Sequence, residues 1–226
     1  VRLGRGEIAL KEIKLKHNSR AWLAFRQSGI GGSDASAIFG ENPYKSNIEL
    51  WKEKCGLAEP KPISCSEAVK YGQKAEKPLR ALFALDYPQY ELICPKDTVF
   101  IHDNGFMFAS LDGILIDRKT GEKGILEIKT SEIFASMHKE KWKDAIPQNY
   151  FIQVLHYLAV TGFSFAYLKA QLKSTDDDGE VRITTKHYPI RAADFQDEIQ
   201  YLIEKETAFW QCVKNRKPPN LILPTI

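Results

Sequence analysis

Two apolar runs flank a polar turn between residues 109 and 130, and the rest of the chain is arranged around them. The first run, 113–117, is rich in isoleucine. The loop at 118–124 holds two glycines and four charges, a composition that suits a hairpin. Along the second run, 124–130, side chains alternate between faces. Leu126 and Ile128 enter one layer, while Glu127 and Lys129 point together to the other side. Upstream, 90–94, 98–101 and 106–109 read as strands leading into this hairpin as a meander. Downstream, 163–173 and 181–190 read as another hairpin around a solvated turn of aspartates, which lack the spacing of a calcium loop.

Helical patterns fill the remainder. Residues 17–28 predict a short amphipathic helix with Ser19 as N-cap. In 29–40 the glycines allow close backbone approach, Ser33 caps the next helix and Gly40 ends it. Residues 42–58 predict a turn and a helix capped by Ser46 or Asn47 and stopped by Gly56, with Lys45 in the turn. A long helix is expected over 66–87, starting at Ser66. Its apolar stripe is Val69, Leu79, Leu82 and Phe83, and Pro78 is expected to kink it. Residues 131–145, with Trp142, read as irregular or helical. Pro147 and Gly162 bracket a strong helix that places Gln153 and Tyr157 on one face and leaves His156 a structural role. Residues 192–214 predict an amphipathic helix with Phe195, Ile199, Leu202, Ile203 and Phe209 inside. The proline-rich tail from Lys217 wraps either the domain or a neighbouring subunit.

Composition narrows the class. No Pro/Ser/Gly linker interrupts the 226 residues, so a single domain over 1–226 is expected. No apolar run approaches the roughly 18 residues of a membrane span, so no membrane association is expected. The opening Val1-Arg2-Leu3-Gly4-Arg5-Gly6 does not read as a signal peptide. The net charge of +3 is mild, but residues 2–26 are basic, which suits either phosphate contacts or a solvated face. Cys55, Cys65, Cys94 and Cys212 show no C-x-x-C spacing. That argues against zinc or iron–sulfur ligation and suits free thiols in a reducing cytoplasm. The glycine-rich stretch has no Gly-Lys-Ser/Thr and no G-x-S-x-G, which excludes a Walker A loop and a serine-hydrolase elbow.

The chemistry concentrates at the hairpin. A carboxylate and an amine pointing together from a buried strand are costly unless paired or bound to a metal. Asp112 opens the first strand and comes close to Glu127 if the two strands pair. Two carboxylates hold a hard divalent cation through oxygen, and the Ile128 carbonyl can join if the strand twists. Lys129 can orient or deprotonate a water, or stabilise charge on a phosphoryl oxygen. Glu76 is either a third carboxylate for a second ion or a solvated helix residue.

Ser110-x-Asp112-Gly113 followed by Glu127-x-Lys129 resembles the PD-(D/E)xK nuclease signature, with Leu111 in place of the proline. The ordered set Trp22…Arg26…Gly31-Gly32-Ser33, Tyr71-Gly72…Glu76, Asp112, Glu127-x-Lys129 and Gln153…Tyr157 resembles the YqaJ-type viral recombinase and phage exonuclease family over about residues 18–172. The resemblance implies an α/β (α+β) fold with a restriction-endonuclease-like core, a central mixed β-sheet flanked by helices; residues 173–226 would add a hairpin strand, a helix and the tail. It implies a catalytic set of Lys129, Glu127, Asp112, Glu76 and Gln153. Asp112, Glu127, the Ile128 carbonyl and Glu76 would hold two Mg²⁺ ions, with Mn²⁺ as a substitute. Arg26 and Ser33, with Ser110 joining them, would hold a 5′ phosphate. The phosphate-contacting position near the Gln-x-x-x-Tyr motif falls on Gln153 or Leu155, and Trp22 is either packing or a DNA contact. The implied activity is a 5′→3′ exonuclease on double-stranded DNA ends in recombination by single-strand annealing. The implied partners are an annealing protein and further copies of the chain in a ring-shaped trimer. The implied setting is the cytoplasm, that of the host if phage-encoded. The alternatives are an endonuclease of the same superfamily and a silent DNA-end-binding module.

Overall fold

In the computed structural model, which describes residues 10–60, 67–133, 141–143, 145–175 and 178–223, two β-sheets share one central helix. The larger sheet has the order β3-β6-β7-β8-β9, formed by Tyr90–Ile93, Gly113–Asp117, Lys123–Ile133, Phe165–Thr175 and Val181–Arg191. It is mixed. β7 and β8 are parallel, and the other neighbours are antiparallel. The smaller sheet has the order β1-β4-β5-β2, formed by Lys11–Lys14, Thr98–Ile101, Met107–Ala109 and Ile30–Gly31.

Parallel neighbours need a crossover, and here a helix supplies it. α5, Gln148–Thr161, follows β7 and delivers the chain to β8. Pro147 stands at its N-cap, where a missing N–H costs nothing, and Gly162 ends it at φ 65°. From Ile152 to Leu158 every residue of α5 is buried, because both sheets and two further helices surround it. Those neighbours are α2 (Gly32–Ile38) and α6 (Gln196–Lys214). His156 joins three of these elements. Its Nδ1 meets Glu206 of α6 at 2.8 Å and its Nε2 meets the Phe108 carbonyl of β5 at 2.9 Å.

The other face of the large sheet is covered by α4, Glu67–Asp86. Leu79 and Phe83 of that helix pack on Leu115, Leu126, Ile128 and Phe165. β7 therefore sends Leu126 and Ile128 to α4, and Glu127 toward α5. α1 (Arg20–Gln27, capped by Ser19) and α3 (Asn47–Lys54, capped by Ser46 with Glu49 answering) complete the N-terminal half. The tail lies against this chain's own α3, where Asn47 binds the Asn220 carbonyl and the Ile222 amide.

Several expectations change. The strands before the hairpin are not one meander: β3 pairs with β6, whereas β4 and β5 turn away into the small sheet. All four residues of β4 are buried, more than one half-exposed sheet would allow. A second, smaller sheet accordingly stands beside the expected central mixed sheet. Residues 131–133 continue β7 instead of leaving it, because β8 supplies a ladder as far as Ile133. Lys11–Lys14 is an edge strand with lysines on its rim, a common guard against further pairing. Leu82 is exposed, one position off the buried stripe. The expected start at Ser66, Cys65, Arg2, Arg5, Asp176, Asp177 and most of 134–145 lie outside the described residues.

Candidate active site

The β6–β7 ladder ends at the pair Gly113 and Leu126, so the next residues, Asp112 and Glu127, meet where the two strands part. Asp112 Oδ2 accepts the Ile128 amide at 2.8 Å, which fixes its carboxylate beside the strand. Glu127, 2% exposed, turns its Oε1 to Lys129 Nζ at 2.7 Å and to Gln153 Nε2 at 3.0 Å. Its Oε2 is buried and receives no donor among the described residues, and the Glu127 and Asp112 carboxyls lie within hydrogen-bonding reach of one another. Gln153 also donates to the Tyr157 hydroxyl at 2.8 Å, so α5 carries a Gln–Tyr pair that holds the glutamate. Lys129 Nζ lies 5.1 Å from the Tyr150 ring centroid, a cation–π contact.

Dryness and crowding set the protonation of these groups. Burial, and then the charge of Asp112, push the Glu127 carboxyl up to about 8. Burial also raises Asp112, against the pull of Lys129. Burial alone would lower Lys129, but Glu127 and Asp112 outweigh it and raise the amine. Glu76 is raised by burial and then by Asp112, which puts it near the pair. Its carboxylate, however, is turned to Arg80 one helical turn on. Among the described residues no three His, Cys, Asp or Glu side chains converge as a metal cage. Asp112 and Glu127 converge as two.

A cationic cluster adjoins them. Arg26, from the last turn of α1, donates to Ser33 Oγ at 2.8 Å, and its guanidinium lies over the buried Trp22 ring at 4.9 Å. The charges of Arg26 and Asp112 both reach Tyr157. Ser33 is not the cap expected of it. The N-cap is Gly31, two residues earlier, and Asp34 accepts the Gly31 amide at 3.2 Å in the capping role. Ser33 is left exposed to face Arg26. Ser110 is half-buried in the connection from β5 to β6. Leu155, the alternative to Gln153, is buried in the core beside it.

Some contributors escaped the sequence reading. Lys54 of α3, nearly buried, reaches Asp34 Oδ2 and the Arg26 carbonyl, both at 2.7 Å, and so ties the Arg26 backbone to α2. Burial would raise Asp34, but Lys54 and Arg26 together hold its carboxyl below the usual range. No local pattern announces such a contact twenty residues away. The Glu76–Arg80 pair was visible as an i, i+4 spacing. Lys45 faces Glu53 at 2.5 Å.

This is a restriction-endonuclease-like α+β fold with an Asp and a Glu-x-Lys gathered where two strands of its mixed sheet diverge. The chain belongs to the YqaJ-like viral recombinase domain family, whose pattern matches residues 21–164. It is 35% identical over 160 residues to the uncharacterized protein YqaJ of Bacillus subtilis (strain 168). That match covers 70% of this chain and 46% of the relative, so the chain spans about half the relative's length. Its fold is similar to that of an alkaline exonuclease, LHK-Exo, from Laribacter hongkongensis. The TM-score is 0.60 at 20% identity, covering 88% of this chain and 94% of the other. The same exonuclease in complex with dAMP matches with a TM-score of 0.58 at 21% identity over the same shares. No helix among the described residues is long and apolar enough to cross a membrane.

Proposed function

We propose that this chain is a metal-dependent deoxyribonuclease that shortens one strand of linear duplex DNA 5′→3′ from phosphorylated ends. The observation that carries this reading is the buried Oε2 of Glu127, which receives no donor among the described residues, beside Asp112 and Lys129. A buried carboxylate oxygen without a donor asks for a cation. Two carboxylates and a backbone carbonyl are the hard donors Mg²⁺ or Mn²⁺ takes while keeping several waters. Asp112, Glu127 and the Ile128 carbonyl would hold the first ion, and Glu76, released from Arg80, would help with a second. Bound there, the metal supplies Lewis acidity to the phosphoryl oxygen and acidifies its water. Lys129 positions the attacking water or offsets charge on the phosphoryl oxygen, and Gln153 keeps Glu127 aimed.

Arg26 and Ser33, with Ser110, hold the 5′ phosphate. A guanidinium binds a terminal dianion more strongly than an internal diester, which sets the polarity. Phosphate contacts carry no sequence information, so little sequence preference is expected. The fold's likeness to an alkaline exonuclease, one structure of which holds dAMP, supports the reading. In this reading the single-stranded product passes to an annealing protein for recombination, and copies of the chain assemble as a ring of three around DNA.

The test is incubation with Mg²⁺ and linear duplexes bearing a 5′ phosphate or a 5′ hydroxyl, with closed circular DNA alongside and EDTA as control. Loss of the phosphorylated strand with the circle spared is expected. Asp112→Ala should abolish it, and Arg26→Ala should erase the difference between phosphate and hydroxyl ends. Cutting of the circle would mean an endonuclease; binding without cleavage would mean an end-binding module.

A further inference from the structure

Away from the paired carboxylates, a cavity of about 500 Å³ opens between α4 and β3. Lys77 and Arg80, three residues apart and so neighbours on one face of α4, line it together with Arg118 from the loop after β6. Glu91 is the one acidic residue of the lining, so three cations face one carboxylate. Arg118 is steadied by the Pro88 carbonyl, 3.3 Å from its Nε, and neither it nor Lys77 forms an ion pair among the described residues. Arg80 spends one nitrogen on Glu76 and another on Cys94 Sγ at 2.9 Å. Its Nε is buried and has no acceptor among the described residues. That nitrogen is closed to the cavity as it is to solvent, so what Arg80 offers there is its charge and the amino hydrogens not spent on Glu76 and Cys94. The volume is in the range of small-ligand sites, and phosphate is the anion that accepts from several such donors at once.

We propose that this cavity is a phosphate site separate from the Arg26–Ser33 pair, held by Lys77, Arg80 and Arg118. Its ligand is a phosphate group, either a diester of a DNA strand lying along the sheet edge or the monoester of a free nucleotide. The two phosphate sites stand on different elements, one on α1 and α2 and the other on α4 and β3. Arg80 belongs to the cavity and also holds Glu76, so the site abuts the rim of the acidic cluster.

The experiment measures binding with EDTA present, so that no cleavage enters the readout. The full chain is compared with the double variant Lys77→Gln/Arg118→Gln. Both residues are exposed, so the fold should survive, and a thermal melt checks it. Arg80 is left in place because it holds Glu76. One arm titrates a labelled, hydroxyl-ended single-stranded oligonucleotide across a salt series. The other titrates inorganic phosphate and deoxyadenosine monophosphate by calorimetry. A diester ligand predicts weaker oligonucleotide binding by the variant, with a salt slope shallower by about 0.7 for each phosphate it no longer neutralises. A monoester ligand predicts that the calorimetric signal disappears in the variant while the oligonucleotide slope holds. Either result supports the site, and unchanged behaviour in both arms overturns it. A protein that binds through these residues yet never cleaves would remove the nuclease reading and leave this site standing.

Discussion

Glu127 depends on Gln153 for one of the two hydrogen bonds to its Oε1, and Gln153 depends on Tyr157 for its other acceptor. Gln153→Leu keeps similar bulk but removes both bonds, leaving Lys129 alone to orient the carboxylate. Partners that orient a metal-binding side chain are typically worth roughly 10–100-fold in metal affinity or activity. A loss of that order is expected in Mn²⁺ affinity by calorimetry and in the rate on phosphorylated linear duplex; a change below about twofold would contradict it. The buried cation behind Arg26 makes a second prediction. Asp34→Ala leaves the Lys54 ammonium without its carboxylate, and breaking such a buried pair costs about 3–5 kcal/mol, measurable by urea unfolding. The sequence showed Gln153 and Tyr157 as a pair because a helix repeats every turn. It did not show that Glu127 is their neighbour, since helical spacing does not say which strand the face meets.

At the scale of elements, the contact of α2 with α5 sets the distance between the Arg26–Ser33 pair and the acidic pair. Gly32 lies at that contact. A Cβ there would stand 2.4 Å from Tyr157 Cε1 and 3.0 Å from Gln153 Cγ. The glycine run read as a place for close backbone approach, and here the approaching partner is the Gln–Tyr pair itself. Gly32→Ala should push α2 off α5, destabilising the protein by about 1–3 kcal/mol, as overpacking does. Because Gln153 moves with it, activity should fall further than the loss of folded protein explains. Rate per folded molecule, with folding followed by circular dichroism, separates the two. The hairpin and α5 were legible for a physical reason: alternation, turn glycines and the Pro-to-Gly bracket are local signals. The split into two sheets was not legible, because β3, β4 and β5 carry similar apolar patterns and only tertiary pairing decides which sheet takes each.

At the scale of the whole molecule, folding carries Glu127 and Asp112 out of water together, so global stability reports on the site. The Glu127 carboxyl stands at about 8 in the folded chain against an ordinary 4.5. A group whose pKa rises on folding takes up a proton when the chain folds. Its contribution is therefore whole below about 4.5 and is lost as pH climbs through about 8. Asp112 is raised as well and acts in the same direction. Lys129 is raised from 10.5, so its contribution stays constant across this window. On the proposed function a divalent cation would oppose the trend, since it would bind the deprotonated carboxylates and add about 2.7 kcal/mol at a hundred times its Kd. In EDTA, the melting temperature should thus fall between about pH 6 and pH 8.5, and excess Mg²⁺ should restore it at the alkaline end. Other groups titrate in this range, so the comparison that isolates the site is Glu127→Gln, which cannot ionise. Its EDTA profile should be flatter than that of the parent chain, and Mg²⁺ should raise its melting temperature less. Parallel EDTA profiles for the two proteins would mean that Glu127 is already ionised in the metal-free fold, and an equal rise with Mg²⁺ would mean that its Oε2 is not held for a cation.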